Sequence, residues 1–317
     1  MKSRLRVVWS WIDRWFPWIA LAGVVVGLVL AVRGQWDAIR NLDWDGSWQI
    51  LLAAAALFAF APLAQAASFW VILRLLGARS PFGEAMVIWA HSYVLRYAPT
   101  GALAVVSRVR DRARLDASRE QILAAEAYEH LGSMTAGACA FVLGFAALGT
   151  GPPWLGLAVA IPVILVAVAL RPRFLGLFAQ ALLRRLGLDA PILRGRHVIV
   201  VVLMNLVAWI ATGFGFLVVL NGLSEESSPG VVWAIAIYSV GYMIGFIVPF
   251  LPGGLGAREG TLIAVLSPRY GAGAATGIAL ATRLAVTVGE AIAVGLIWLG
   301  YFALRAGRSR AAAAPSD

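Results

Sequence analysis

A single cysteine, Cys139, in 317 residues excludes a disulfide within the chain, and its apolar surroundings assign it to helix packing as a small residue. Histidine is almost as scarce. His91, His130 and His197 lie far apart without metal-ligand spacing, and no nucleophile elbow, phosphate loop or zinc motif occurs. Neither an enzyme nor any metal or other cofactor is therefore expected. Charge is the third shortage: 13% of the residues are charged, where a soluble globular domain carries about a quarter. Among the 26 basic residues only Lys2 is a lysine.

What is abundant is apolar sequence, 61% of the chain. A hydrocarbon core about 30 Å thick takes roughly 20 apolar residues per spanning helix. Stretches of that kind predict spans at Phe16 to Val32, Ile50 to Leu76, Ile122 to Leu148, Trp154 to Leu170, Val198 to Leu220 and Ala274 to Tyr301. Two further apolar stretches, Ala85 to Val106 and Val231 to Leu266, are interrupted by Pro99-Thr100-Gly101 and by Pro252-Gly253-Gly254. Proline removes a backbone donor and glycine tolerates a sharp bend, so both stretches are expected to be broken. Broken backbone survives at membrane depth only where protein or a water-filled cavity satisfies it. The fold class expected is an all-α polytopic membrane protein with six spanning helices and two broken, re-entrant helical hairpins.

A net charge of +10 would suit a nucleic-acid partner if it lay along one soluble face, but here it falls in short clusters between apolar segments. No nucleic acid is expected; the partners are membrane lipids. The basic N-terminal stretch lacks a convincing small-x-small cleavage site, so it reads as a retained first helix. With the N-terminus in the cytoplasm and both broken segments re-entering, 20 basic residues fall on the cytoplasmic side. Arg33, Arg40, Arg258 and Arg269 fall outside, and Arg96 and Arg283 remain in the membrane. Both termini are then cytoplasmic. Residues 173–188 mix apolar and basic positions at helical spacing and are expected to lie at the interface.

The chain divides as one membrane domain, 1–317: an N-terminal helix and outer loop (1–49), a first repeat (50–170), a cytoplasmic linker (171–196), a second repeat (197–304) and a basic tail (305–317). Setting Pro99 opposite Pro252 places His130 opposite Arg283, so helix, broken segment and helix recur in both halves. The charge count gives the two halves opposite orientations, the pattern of inverted repeats that bind substrate where broken elements meet.

Ionisable groups inside a bilayer cost several kcal/mol and are functional-site candidates. Glu126, Glu129 and His130 share one helical face, and Arg283 and Glu290, seven apart, share another. Arg96 precedes the break at Pro99 and Gly101. The run Pro252, Gly253, Gly254, Gly256, Arg258 and Glu259 joins exposed backbone amides to a charged pair, and freed amides at a helix start hold anions. For Arg283, a bidentate hold on a phosphate stands beside structural pairing with Glu290, Glu129 or Glu259. Tight glycine packing is the alternative for the glycine run.

The segment Pro252-Gly253-Gly254-Leu255-Gly256-Ala257-Arg258-Glu259-Gly260 resembles the proline-glycine-glycine, glycine, glutamate signature of the lysylphosphatidylglycerol synthase/flippase transmembrane family. Pro99, Gly101 and Arg108, followed by Glu129, resemble its first-half motif. The resemblance runs from Leu51 to Leu304 and implies a multi-pass protein of the bacterial inner membrane with a flippase-like domain. The family's glutamate-arginine pair reads Glu129-His130 here, and no soluble aminoacyl-transfer segment follows the last helix, so lipid aminoacylation is not expected. The expected function is a lipid flippase or transporter for an anionic or modified phospholipid, a polyprenyl lipid or a hopanoid-type lipid. The alternative is a non-transporting scaffold of lipid or envelope biosynthesis. Proton coupling through the buried carboxylates and assembly as a homo-oligomer are left open.

Overall fold

The computed structural model describes residues 47–95, 102–148, 181, 184–185, 191–224, 230–247 and 256–313. Among them the chain forms seven α-helices: α1 (Ser47–Leu75), α2 (Phe82–Val94), α3 (Ala102–Arg110), α4 (Arg119–Leu148), α5 (Gly195–Leu223), α6 (Val231–Ile247) and α7 (Ala257–Ala313). A 3-10 turn, Asp111–Ala113, follows α3. The spans expected at Phe16 to Val32 and Trp154 to Leu170, and both proline-glycine motifs, lie outside the described residues. So do Arg96, Pro99, Gly101, Pro252, Gly253 and Gly254. Three helices are long and apolar enough to cross a membrane: Trp48–Leu75 of α1, α5, and Ala257–Ala306 of α7. They contain the stretches predicted at Val198 and Ala274 and all but the last residue of the one at Ile50, and α4 contains the one predicted at Ile122.

Local chemistry sets the ends of these elements. α1 stops where Gly77 takes a left-handed φ of 90°; the Ala78 amide donates back to the Leu73 carbonyl at 3.0 Å, which satisfies a terminal carbonyl. Pro81, in extended conformation, then opens α2. The start of α4 is a reciprocal cap. Ser118 N–H donates to Gln121 Oε1 at 2.8 Å, and Gln121 N–H donates to Ser118 Oγ at 3.2 Å. The Gln121 side-chain amide also donates to the Leu76 carbonyl at 3.0 Å, tying this cap to the end of α1. α7 bends at Gly271, whose backbone (φ 77°, ψ 156°) leaves the helical region three residues after Pro268.

α1 packs against α5 and α7, and α4 packs against α5 and α6. Buried apolar side chains form two clusters. One centres on Phe69, Trp89, Leu115 and Ile122, the other on Phe58, Phe216, Tyr238 and Ile278. Leu203, Val207, Leu296 and Leu299 face outward, half exposed or more. In water an apolar exterior of that kind is a liability, whereas in a bilayer it is the ordinary lipid-facing surface. Where α7 crosses α1, a Cβ on Gly289 would lie 2.5 Å from the Ala55 carbonyl oxygen and 2.9 Å from the Ala59 nitrogen. Only glycine permits this backbone-to-backbone approach.

A polar contact joins the first turn of α2 to α7 at Tyr301. Glu84 accepts from the Tyr301 hydroxyl at 2.6 Å and from Arg114 Nη2 at 2.7 Å. Burial pushes the Glu84 carboxyl up, but the Tyr301 and Arg114 hydrogen bonds and the Arg114 charge outweigh it and hold the group below its ordinary value. A lowered folded-state value contributes stability above the unfolded value and loses it as pH falls through the folded one. The melting-temperature difference between wild type and Glu84→Gln is therefore expected to hold from neutral pH down to about 4.5 and to close below that. Arg114 is nearly half exposed, so the difference is small and shrinks with salt.

Candidate functional site

Two buried charged clusters flank the middle of the bundle. In the first, Arg108 near the end of α3 is 3% exposed and turned inward onto α4. Its Nη1 donates to Glu126 Oε2 and to Glu129 Oε2, both at 2.6 Å, and its Nε donates to Ser92 Oγ at 2.7 Å. The guanidinium also sits 4.5 Å from the Phe69 ring centroid. The other Glu129 oxygen, Oε1, accepts from Trp89 Nε1 at 2.7 Å. Both Glu129 oxygens thus serve the protein itself, and burial of an arginine between two carboxylates is compensated by hydrogen bonds. His130, half exposed, stands at the edge of this cluster; its Nδ1 meets the Glu126 carbonyl at 3.0 Å and Glu126 Oε1 at 3.6 Å.

The second cluster is built at the start of α7. Gly256 has a left-handed φ of 85°, and its N–H donates to Glu259 Oε2 at 2.7 Å. Glutamate three residues into a helix, reaching back to the amide before it, is half of a capping box. The anion held by this amide is therefore the protein's own. Glu259 Oε1 lies 3.7 Å from Arg283 Nη1, the structural pairing anticipated for Arg283. Arg258, beside Glu259 in the sequence, turns to a different face of α7. It is 5% exposed, because it occupies the face of α7 turned toward α6. There Nη2 donates to the Tyr238 hydroxyl, and the guanidinium stands 4.5 Å from the Tyr238 ring centroid and 5.6 Å from that of Tyr242.

Beside Arg258 lies a partly open cavity of about 40 Å³. α1 contributes Phe58, Pro62 and Gln65; α5 contributes Trp209 and Thr212; α6 contributes Tyr238 and Tyr242; α7 contributes Arg258, Val286 and Glu290. Tyr93, at the end of α2, completes the wall. Pro62 has no N–H, so the Phe58 carbonyl one turn earlier lacks its helical donor beside the cavity. Tyr93 stacks on Trp89 with centroids 4.4 Å apart and planes at 23°. A continuous chain of contacts therefore runs from Arg108 through Glu129 and Trp89 to the cavity wall.

Of the residues expected from sequence, the structure brings Arg258 and Glu290 to the cavity and pairs Glu259 with Arg283 alongside. Glu126 and Glu129 are gathered around Arg108 instead. Sequence reading did not single out Gln65, Tyr93, Trp209, Thr212, Tyr238 or Tyr242. Their only signal was position within apolar helices, which aromatic residues share with any core.

Long apolar helices that enclose buried charge and a mixed aromatic and polar cavity define a polytopic membrane protein with a candidate site in its interior. The chain belongs to the family described as the lysylphosphatidylglycerol synthase TM region, whose family model matches residues 18–293. That family is membrane-associated and related to lipid and flippase function. No curated protein matched the chain.

Proposed function

We propose that the protein is a lipid flippase of a bacterial inner membrane, with both termini cytoplasmic, and that the cavity beside Arg258 receives the headgroup while the tails stay in the bilayer. Six spans and two inverted repeats centred on Pro99 and Pro252 belong to this proposal. The observation that carries it is the placement of Arg258 and Glu290 together on an aromatic-walled cavity between apolar helices. Buried charge at that depth is costly unless it pairs or meets a ligand.

The test is movement of tail-labelled fluorescent lipids in proteoliposomes, read by chemical quenching of the outer leaflet. Glu290→Gln and Arg258→Gln are each expected to slow movement by about tenfold, or roughly 1.4 kcal/mol of barrier, relative to wild type. Equal rates in wild type, both variants and protein-free liposomes would transfer the assignment to a scaffold that moves nothing.

A further inference from the structure

We propose that the arginine-rich end of the bundle binds anionic phospholipids of the leaflet it faces, a property independent of the transport reading above. Two contacts fix which segments share that end. Arg108 Nε donates to Ser92 Oγ and Arg114 Nη2 to Glu84 Oε2, both at 2.7 Å. Ser92 and Arg108 lie equally far in sequence from Thr100, and Glu84 and Arg114 equally far from Pro99, so α2 and α3 run antiparallel. The end of α3 therefore returns to the start of α2. The end of α1 and the start of α4 meet there too, through the Gln121 bond to the Leu76 carbonyl. Leu193, just before α5, is buried in the same cluster as Leu76, Leu115 and Ile122.

Six arginines of these segments are exposed: Arg74, Arg79, Arg112, Arg119, Arg194 and Arg196. Among the described residues none of the six is held in an ion pair. Of the acids nearby, Glu84 and Asp111 lie against Arg114, which leaves Asp116 and Glu120. At the opposite end, where Gly222 packs on Ile50 and Trp233 meets Tyr270, Arg269 is the only cation among the described residues. The positive-inside rule accounts for a count of basic residues in loops, but not for their convergence, unpaired, on one exposed surface. Apolar side chains at the same end decide between a lipid surface and an acidic protein. Phe82 and Ile192 are 49% and 46% exposed, and Trp70 stands edge-on to Phe82 with centroids 5.2 Å apart. Cations interleaved with exposed apolar groups match the boundary between headgroups and acyl chains, where aromatic side chains collect and anionic lipids attract arginine.

The experiment uses the whole chain in mixed micelles, where orientation of insertion plays no part. Lipids retained from an equimolar mixture of phosphatidylglycerol and phosphatidylcholine with the same tails are counted by native mass spectrometry. Wild type is expected to retain phosphatidylglycerol about tenfold over phosphatidylcholine at low salt, and the excess to shrink at about 0.5 M salt. Combining Arg74→Gln, Arg79→Gln, Arg112→Gln and Arg119→Gln should remove most of the preference, in protein whose melting temperature matches wild type. Lysine at the same four positions should keep it, and Arg269→Gln should leave it unchanged. Equal retention of the two lipids by wild type, or a preference that survives the four glutamine substitutions, would overturn the proposal. Should the glutamine variant fail to fold, the salt series on wild type decides: a preference that falls with salt supports the proposal, and one indifferent to salt overturns it. Lipid movement is measured separately, so neither result bears on the transport reading.

Discussion

Arg108→Leu is expected to destabilise the bundle by roughly 3–5 kcal/mol, measured as a shift in unfolding by a denaturing detergent. The leucine fills much of the space but leaves Glu126 and Glu129 facing each other without the guanidinium that now donates to both at 2.6 Å. Two buried carboxylates without a counter-charge must take up protons or admit water. Adding Glu126→Gln and Glu129→Gln to Arg108→Leu should therefore recover most of the loss, since it removes the uncompensated charge. If Arg108→Leu unfolds like wild type, the cluster has no structural role. The same variant should also slow lipid movement, because Glu129, which accepts from the Trp89 that stacks on Tyr93, would lose the guanidinium that fixes it.

The second large effect is expected at Gly289. A methyl group there would meet the Ala55 carbonyl oxygen at 2.5 Å, and that oxygen belongs to helix backbone and cannot swing aside. Overpacking of this kind costs about 1–3 kcal/mol, so Gly289→Ala should lower the melting temperature. It should also impair transport more than stability alone explains, since pushing α7 away from α1 shifts the neighbouring Glu290 from the cavity wall. Gly295→Ala, on the same helix with nothing within 4 Å of the added Cβ, is the control and should change stability by no more than about 0.5 kcal/mol. Equal behaviour of the two variants would contradict the close helix crossing.

The long apolar helices were legible because twenty or more apolar residues have few uses outside a membrane. Glu259 was singled out as part of the charged pair that follows the glycines, but the freed amides there were read as holding a ligand anion, whereas the Gly256 amide holds Glu259 itself. Arg108 was not legible from charge alone. It heads an arginine run that charge counting assigns to the cytoplasm, and nothing local distinguishes it from Arg110 or Arg112. Its partners lie 18 and 21 residues away, so burial depends on α3 folding back against α2 and α4. For Arg258 the charge count gave a side of the membrane but not a partner, because positive-inside counting sees sequence position, not which face of a helix turns inward. The cavity walls escaped because Tyr93, Trp209 and Tyr242 differ from core aromatics only in what they fail to pack against.

The central claim is that a headgroup reaches the cavity from either side of the membrane. The direct measurement is labelling of Gln65→Cys, made in a Cys139→Ser background, with a membrane-impermeant maleimide applied to right-side-out and to inverted vesicles. A flippase predicts modification from both faces, and slower modification from each when a transported lipid is present in excess. Modification from one face only, or from neither in folded protein, would contradict the account.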